Sequence, residues 1–111
     1  MRPPSVTIIG WLFILAGTVG FLYHLTELKI PITNDAIWVL VVRLLAIVGG
    51  ILVLKGANAG RWLLITWMAY HVILSFFHSA SALAMHTFLL VAIAVILFSA
   101  RATRYFGRPS A

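Results

Sequence analysis

The sequence lacks cysteine altogether, and it has only 2 acidic residues in a chain of 111. Without cysteine, the chain has no disulfides, thiolate metal ligands, iron–sulfur clusters or thiol nucleophiles. The two carboxylates, Glu27 and Asp35, fall in one connecting segment, and no nucleophile–base motif of recognisable spacing accompanies them. We therefore predict that the protein is not an enzyme.

Charged residues of either sign are scarce, at 9% of the chain, whereas 63% of its residues are hydrophobic and the mean hydropathy is +1.11. Soluble domains contain about 25% charged residues, so this composition does not suit a water-exposed surface. The net charge of +6 comes from cations that stand singly between apolar runs, without the basic stripe typical of nucleic-acid binding. The composition thus predicts an integral membrane protein whose partner is the lipid bilayer, with no nucleic acid.

Four apolar runs approach the length needed to cross the hydrocarbon core, which takes roughly 20 helical residues. They cover residues 6–25, 36–54, 61–77 and 82–99, so the whole chain, 1–111, forms a single transmembrane domain. Turn and capping residues separate the runs, namely Pro31 with Thr33, then Gly56, then Ser79. Because short connections join antiparallel neighbours, we predict an all-α membrane protein, an up-down-up-down bundle of four transmembrane helices.

The flanking cations predict the orientation of this bundle, because cytoplasmic segments carry an excess of Lys and Arg. One side holds only Lys29, and the other holds Arg2, Lys55, Arg61, Arg101, Arg104 and Arg108, so both termini are predicted to be cytoplasmic. The stretch GGILVLKGANAGRWLLI, in which a helix ends at glycine and Arg-Trp opens the next, is similar to stretches of small four-span bacterial membrane proteins. That resemblance implies a multi-pass protein of the bacterial inner membrane.

The ionisable residues inside the spans gather in the outer, non-cytoplasmic half. His24, His78 and His86 are predicted to lie at one depth near the outer surface. His71 precedes His78 by seven residues, which places it on the same helical face about 10 Å deeper. Arg43 is predicted at the level of His71, where no other histidine lies. Because a guanidinium keeps its charge, Arg43 requires protein, water or a bound anion around it, or must extend to the outer surface.

These residues suggest two kinds of ligand site. His71 with Arg43, or the outer His24 with His78 and His86, forms a candidate cofactor site for haem, a pigment or a quinone. His24, His78 and His86 also form a candidate metal site, because neutral imidazole is the commonest metal-binding side chain. A purely structural interpretation stays open for each, in which the histidines form ordinary hydrogen bonds and Arg43 clasps backbone carbonyls.

Three functions are compatible with this pattern. The first is an accessory or structural subunit, which contributes apolar helix faces to a larger membrane protein complex or to a homo-oligomer. The second is a redox subunit that binds a cofactor through His71 and Arg43 or through the outer histidines. The third is metal binding or transport through His24, His78 and His86.

Overall fold

The computed structural model describes residues 2–107, and within that range the chain is helical, without strands. Its five helices are α1 Pro4–Thr26, α2 Asn34–Leu54, α3 Asn58–Phe76, α4 Ala80–Leu97 and α5 Ala100–Phe106. The four long helices coincide with the four predicted apolar runs to within three residues at every end. The all-α fold class is confirmed.

Local capping explains why these helices begin and end where they do. The Thr33 and Ser79 hydroxyls each accept a hydrogen bond from the amide three residues further on, which caps the starts of α2 and α4. At the end of α2, Gly56 adopts a φ of 77°, and the amides of Gly56 and Ala57 donate back to carbonyls in the last turn. This left-handed glycine cap lets α3 begin almost at once.

Glycines bring α1 and α2 into direct backbone contact. A Cβ atom on Gly50 would lie 2.6 Å from the carbonyl oxygen of Gly10, and one on Gly17 would lie 2.8 Å from the side chain of Ile47. The early part of α1 therefore meets the late part of α2, so the two helices run in opposite directions. Gly10 and Gly17 are both buried, as expected for small residues that allow close helix approach.

Helices that are adjacent in sequence pack against each other, whereas α1 and α4 make few contacts. The molecule is correspondingly flattened, with extents of 47 × 33 × 18 Å. The four long helices thus form a curved layer rather than a closed ring. A groove remains between α1 and α4, with α2 and α3 as its floor.

Within residues 2–107, three helices are long and apolar enough to cross a membrane, namely α1, α2 and α4. The 19-residue α3 is less apolar because Arg61, Tyr70 and His71 interrupt it. Large apolar side chains are exposed on the outside of the layer, including Ile8, Leu15, Phe88 and Val95. Such a surface is poorly suited to water, and the protein is therefore of membrane type.

Arg61, which the sequence analysis counts among the flanking cytoplasmic cations, is enclosed by the fold. It is only 8% exposed, and its hydrogen-bond acceptors are Asn58 Oδ1, the Leu97 carbonyl oxygen and Thr103 Oγ1. The rings of Phe98 and Phe106 lie within 4.9 Å of the guanidinium carbon. Arg61 thus links the start of α3 to the end of α4 and to α5, a contact that becomes available only when these helices are folded together.

Candidate functional site

The groove between α1 and α4 encloses a cavity of about 300 Å³. Its walls are mainly apolar, with Ile9 and Leu12 on the α1 side and Leu89 and Ile93 on the α4 side. Polar side chains also line it, above all Arg43 from α2 and His86 from α4. A long apolar cleft with few polar groups is the usual form of a site for a small ligand.

Arg43 lies near the middle of α2, where the sequence predicted an intramembrane charge. Its side chain crosses the face of α1 at Gly20, since a Cβ atom on that glycine would lie 2.9 Å from Arg43 Cδ and 3.1 Å from Nε. Arg43 Nε is buried and has no hydrogen-bond partner in the described part of the chain. The protein therefore leaves one N–H donor of this charged group without a hydrogen bond, which is energetically unfavourable in a buried position.

A hydrogen bond between His86 on α4 and Ser75 on α3 holds the His86 ring in place. Its Nδ1 contacts the hydroxyl of Ser75, which is 4% exposed and which donates its hydrogen to the His71 carbonyl oxygen at 2.8 Å. A hydroxyl has one hydrogen, so His86 Nδ1 must be the donor to Ser75. In the neutral imidazole this leaves Nε2 without a proton, so that it can only accept a hydrogen bond.

His71 is fixed in the same way on α3. Its Nδ1 lies 2.9 Å from the carbonyl oxygen of Trp67 and therefore donates to it, while the two rings stack with centroids 3.8 Å apart. Trp67 is anchored in turn by its indole nitrogen, which donates to the Val42 carbonyl oxygen on α2. His71 lines a second, smaller cavity of about 190 Å³ that Arg43 also lines, so Arg43 borders both spaces.

The structure corrects the predicted depth of His86. His71 and His86 lie side by side, with ring centroids 6.0 Å apart, although the sequence placed His86 at the outer surface with His24 and His78. The helix bounds explain the difference, because α3 ends at Phe76 and α4 begins at Ala80. His71 and His86 are then five and six residues from that turn, which gives them similar depths.

The other two histidines do not join this cluster. His24 lines a separate cavity of about 310 Å³ with residues of the connection between α1 and α2, including Glu27, Lys29 and Asp35. His78 is exposed just beyond the end of α3, and its Nδ1 faces the Leu74 carbonyl oxygen at 2.7 Å. Among residues 2–107, no three His, Asp or Glu side chains come close enough to hold a metal ion. The predicted metal site of His24, His78 and His86 is therefore not assembled.

Comparisons with known proteins provide no further guide to this site. No family model matches the chain, and no curated protein or solved structure is significantly similar to it.

Three further residues position the site, and two of them, Gly20 and Ser75, were missed at the sequence level. Gly20 makes room for Arg43, Ser75 orients His86, and Trp67 supports His71. The sequence does indicate that Trp67, His71 and Ser75 share one helix face, because they follow one another at four-residue spacing. The contacts of Gly20 and Ser75 with other helices depend on packing and have no signature in a single sequence.

Proposed function

We propose that this protein is a four-span membrane protein with both termini in the cytoplasm, and that its α1–α4 groove binds a membrane-soluble ligand with a polar head group. The antiparallel contact between α1 and α2 supports this topology, as does the bias of cations toward one end of the helices. The ligand's apolar part lies along the groove walls, and its head group meets Arg43. A quinone is one ligand of this kind.

The observation that carries this proposal is the position of Arg43. A guanidinium in the middle of a membrane helix faces a penalty of at least about 2.5 kcal/mol. Here it borders an apolar cavity and has a buried Nε without a partner. A ligand that brings hydrogen-bond acceptors to the terminal nitrogens of Arg43 offsets this penalty.

Filling the groove is expected to expel this ligand. Ala16 lines the cavity, so the Ala16→Trp variant should place an indole in the ligand's space. Ala84→Trp adds the same side chain at an exposed position of α4 that does not line the cavity, and it serves as the matched control. Each protein is purified from its own membranes in mild detergent, and its organic extract is analysed by mass spectrometry. We expect one apolar compound to be retained by the wild type and by Ala84→Trp and lost from Ala16→Trp. Identical extracts from all three proteins would contradict the proposal.

A second candidate function, an accessory subunit, is favoured by the exposure of α4. Only Ile93 and Leu97 of this 18-residue helix are buried, and Phe88 is 71% exposed. The face that includes Phe88 is large, apolar and continuous with the exposed surface at Met85. An apolar helix face of this kind fits another membrane helix as well as it fits lipid.

Cysteine cross-linking in native membranes tests this second function without background, because the chain contains no cysteine. The Phe88→Cys variant is expected to form a cross-linked adduct with another membrane protein or a second copy. Arg101→Cys, at an exposed position on α5, controls for random collision. An adduct that forms equally at both positions, or at neither, would argue against α4 as a partner surface.

A further inference from the structure

We infer that the groove ligand is an acid, specifically a long-chain carboxylic acid whose ionised head group pairs with Arg43; this inference rests on the proposed function of the groove. The deciding property is charge. Arg43 brings a permanent positive charge to the middle of the helix layer, and a neutral head group would satisfy its hydrogen bonds without balancing that charge.

The protein itself supplies no counter-charge at this position. The chain has only two carboxylate side chains, Glu27 and Asp35, and both line the separate cavity at the connection between α1 and α2. The helix faces around Arg43 offer Gly17 and Gly20 from α1, and His71 and His86 from α3 and α4. None of these groups is anionic, so an anionic ligand in the groove would supply a counter-charge that the surrounding protein lacks.

A carboxylate matches Arg43 in net charge and in hydrogen-bond geometry. It carries one negative charge for one guanidinium, whereas a phosphate monoester carries about −1.5 to −2 at neutral pH and would leave an excess of negative charge. Its two oxygens also fit the paired N–H groups of arginine, which form two parallel hydrogen bonds to a carboxylate. Arg43 lines the groove and also the smaller cavity beside His71.

The remainder of the groove fits a single hydrocarbon chain. From the level of Gly17 the cavity continues along α1 to Ile9, a distance of about 12 Å at the helical rise per residue. Apart from Arg43, Trp67 and His86, its lining is apolar or glycine, with Phe13 and Met68 on the floor and walls. Polar groups at one end and apolar walls over the rest of the length are the pattern expected for an amphiphile.

Equilibrium binding of radiolabelled hexadecanoic acid to the full-length protein, in nanodiscs of neutral phosphatidylcholine, tests this inference. Hexadecan-1-ol is the matched competitor, because it has the same chain and no charge, and decylubiquinone represents a neutral quinone. The variants are Arg43→Met, which removes the charge, and Arg43→Lys, which keeps the charge but loses the paired geometry. Arg101→Met removes a cation from the exposed face of α5 and controls for a general change in net charge. Helical circular dichroism verifies that each variant is folded.

We expect saturable binding of the acid, with hexadecan-1-ol competing at least about 10-fold more weakly. Arg43→Met should weaken acid binding by about 10-fold or more, Arg43→Lys by less, and Arg101→Met not at all. Equal competition by the alcohol, or unchanged binding to Arg43→Met, would overturn the inference. Saturable binding of decylubiquinone alone, lost in Ala16→Trp, would overturn the acid while leaving the ligand-binding groove in place. Failure of all three probes to bind saturably would count against the acid and the groove together.

Discussion

Replacing Arg43 by methionine is expected to raise the free energy of unfolding of the ligand-free protein by about 2 kcal/mol, within the range for a buried hydrogen-bond donor that lacks a partner. The reason is that Arg43 Nε is a buried donor without a hydrogen-bond partner, and methionine removes this donor. Methionine also keeps an unbranched side chain packed over Gly20. The measurement is a denaturation titration in non-ionic detergent, on protein from which bound apolar molecules have been removed.

Arg61 provides the control for this prediction because each nitrogen of its guanidinium donates a hydrogen bond. Arg61→Met should lower the free energy of unfolding by about 2 kcal/mol, since it removes charge-assisted hydrogen bonds and leaves the Leu97 carbonyl oxygen without this donor. The two substitutions are chemically identical and differ in the sign of their effect. A loss of stability in Arg43→Met like that in Arg61→Met would identify Arg43 as a structural clasp and remove the main support for the ligand site.

Replacing Gly50 by valine is expected to destabilise the protein by about 3 kcal/mol, at the upper end of the range for an overpacked core. The Cβ atom would lie 2.6 Å from the Gly10 carbonyl oxygen, and a backbone atom cannot move aside as a flexible side chain can. Valine has a higher helix propensity than glycine, so local propensity alone would predict a gain in stability. The sign of the effect thus separates helix packing from helix formation.

The matched control for Gly50→Val is Ala84→Val, which adds bulk at an exposed position of α4. Its free energy of unfolding should stay within about 0.5 kcal/mol of the wild type, as for other surface substitutions. Both variants are compared by denaturation in detergent, with helical circular dichroism as the signal. A Gly50→Val protein as stable as the control would mean that α1 and α2 do not approach as closely as Gly10 and Gly50 do here.

Several features of this fold could be predicted because they depend on short-range chemistry. Thr33, Gly56 and Ser79 end or begin helices through hydrogen bonds to residues within a few positions, so their roles are written in the local sequence. Arg43 could be recognised as exceptional because an arginine within an apolar run is expensive wherever it points. His71 could be placed near the level of Arg43 by counting residues along the helices.

The relationships between helices were less predictable. His86 was placed too close to the outer surface, because its depth depends on where α3 ends and α4 begins. Errors of one residue at the first bound and two at the second shift the relative level of His71 and His86 by about 4.5 Å. Arg61 was counted as a flanking charge, and its contacts with Thr103 and Phe106 of α5 were not predicted. The predicted metal site required three histidines from three helices, and such a set depends on the packing of the whole layer.

The sequence by itself determined that this protein consists of apolar helices and that Arg43 lies in the middle of one of them. It could do so because hydrophobicity and helix capping act within a few residues of chain. Only the tertiary structure decided that α1 and α4 stand apart and that Arg43 borders the resulting groove. It also decided that Ser75 holds His86 by a hydrogen bond to Nδ1. These features arise from contacts between side chains that are far apart in the chain, and the positions of such contacts follow from how the helices pack against each other.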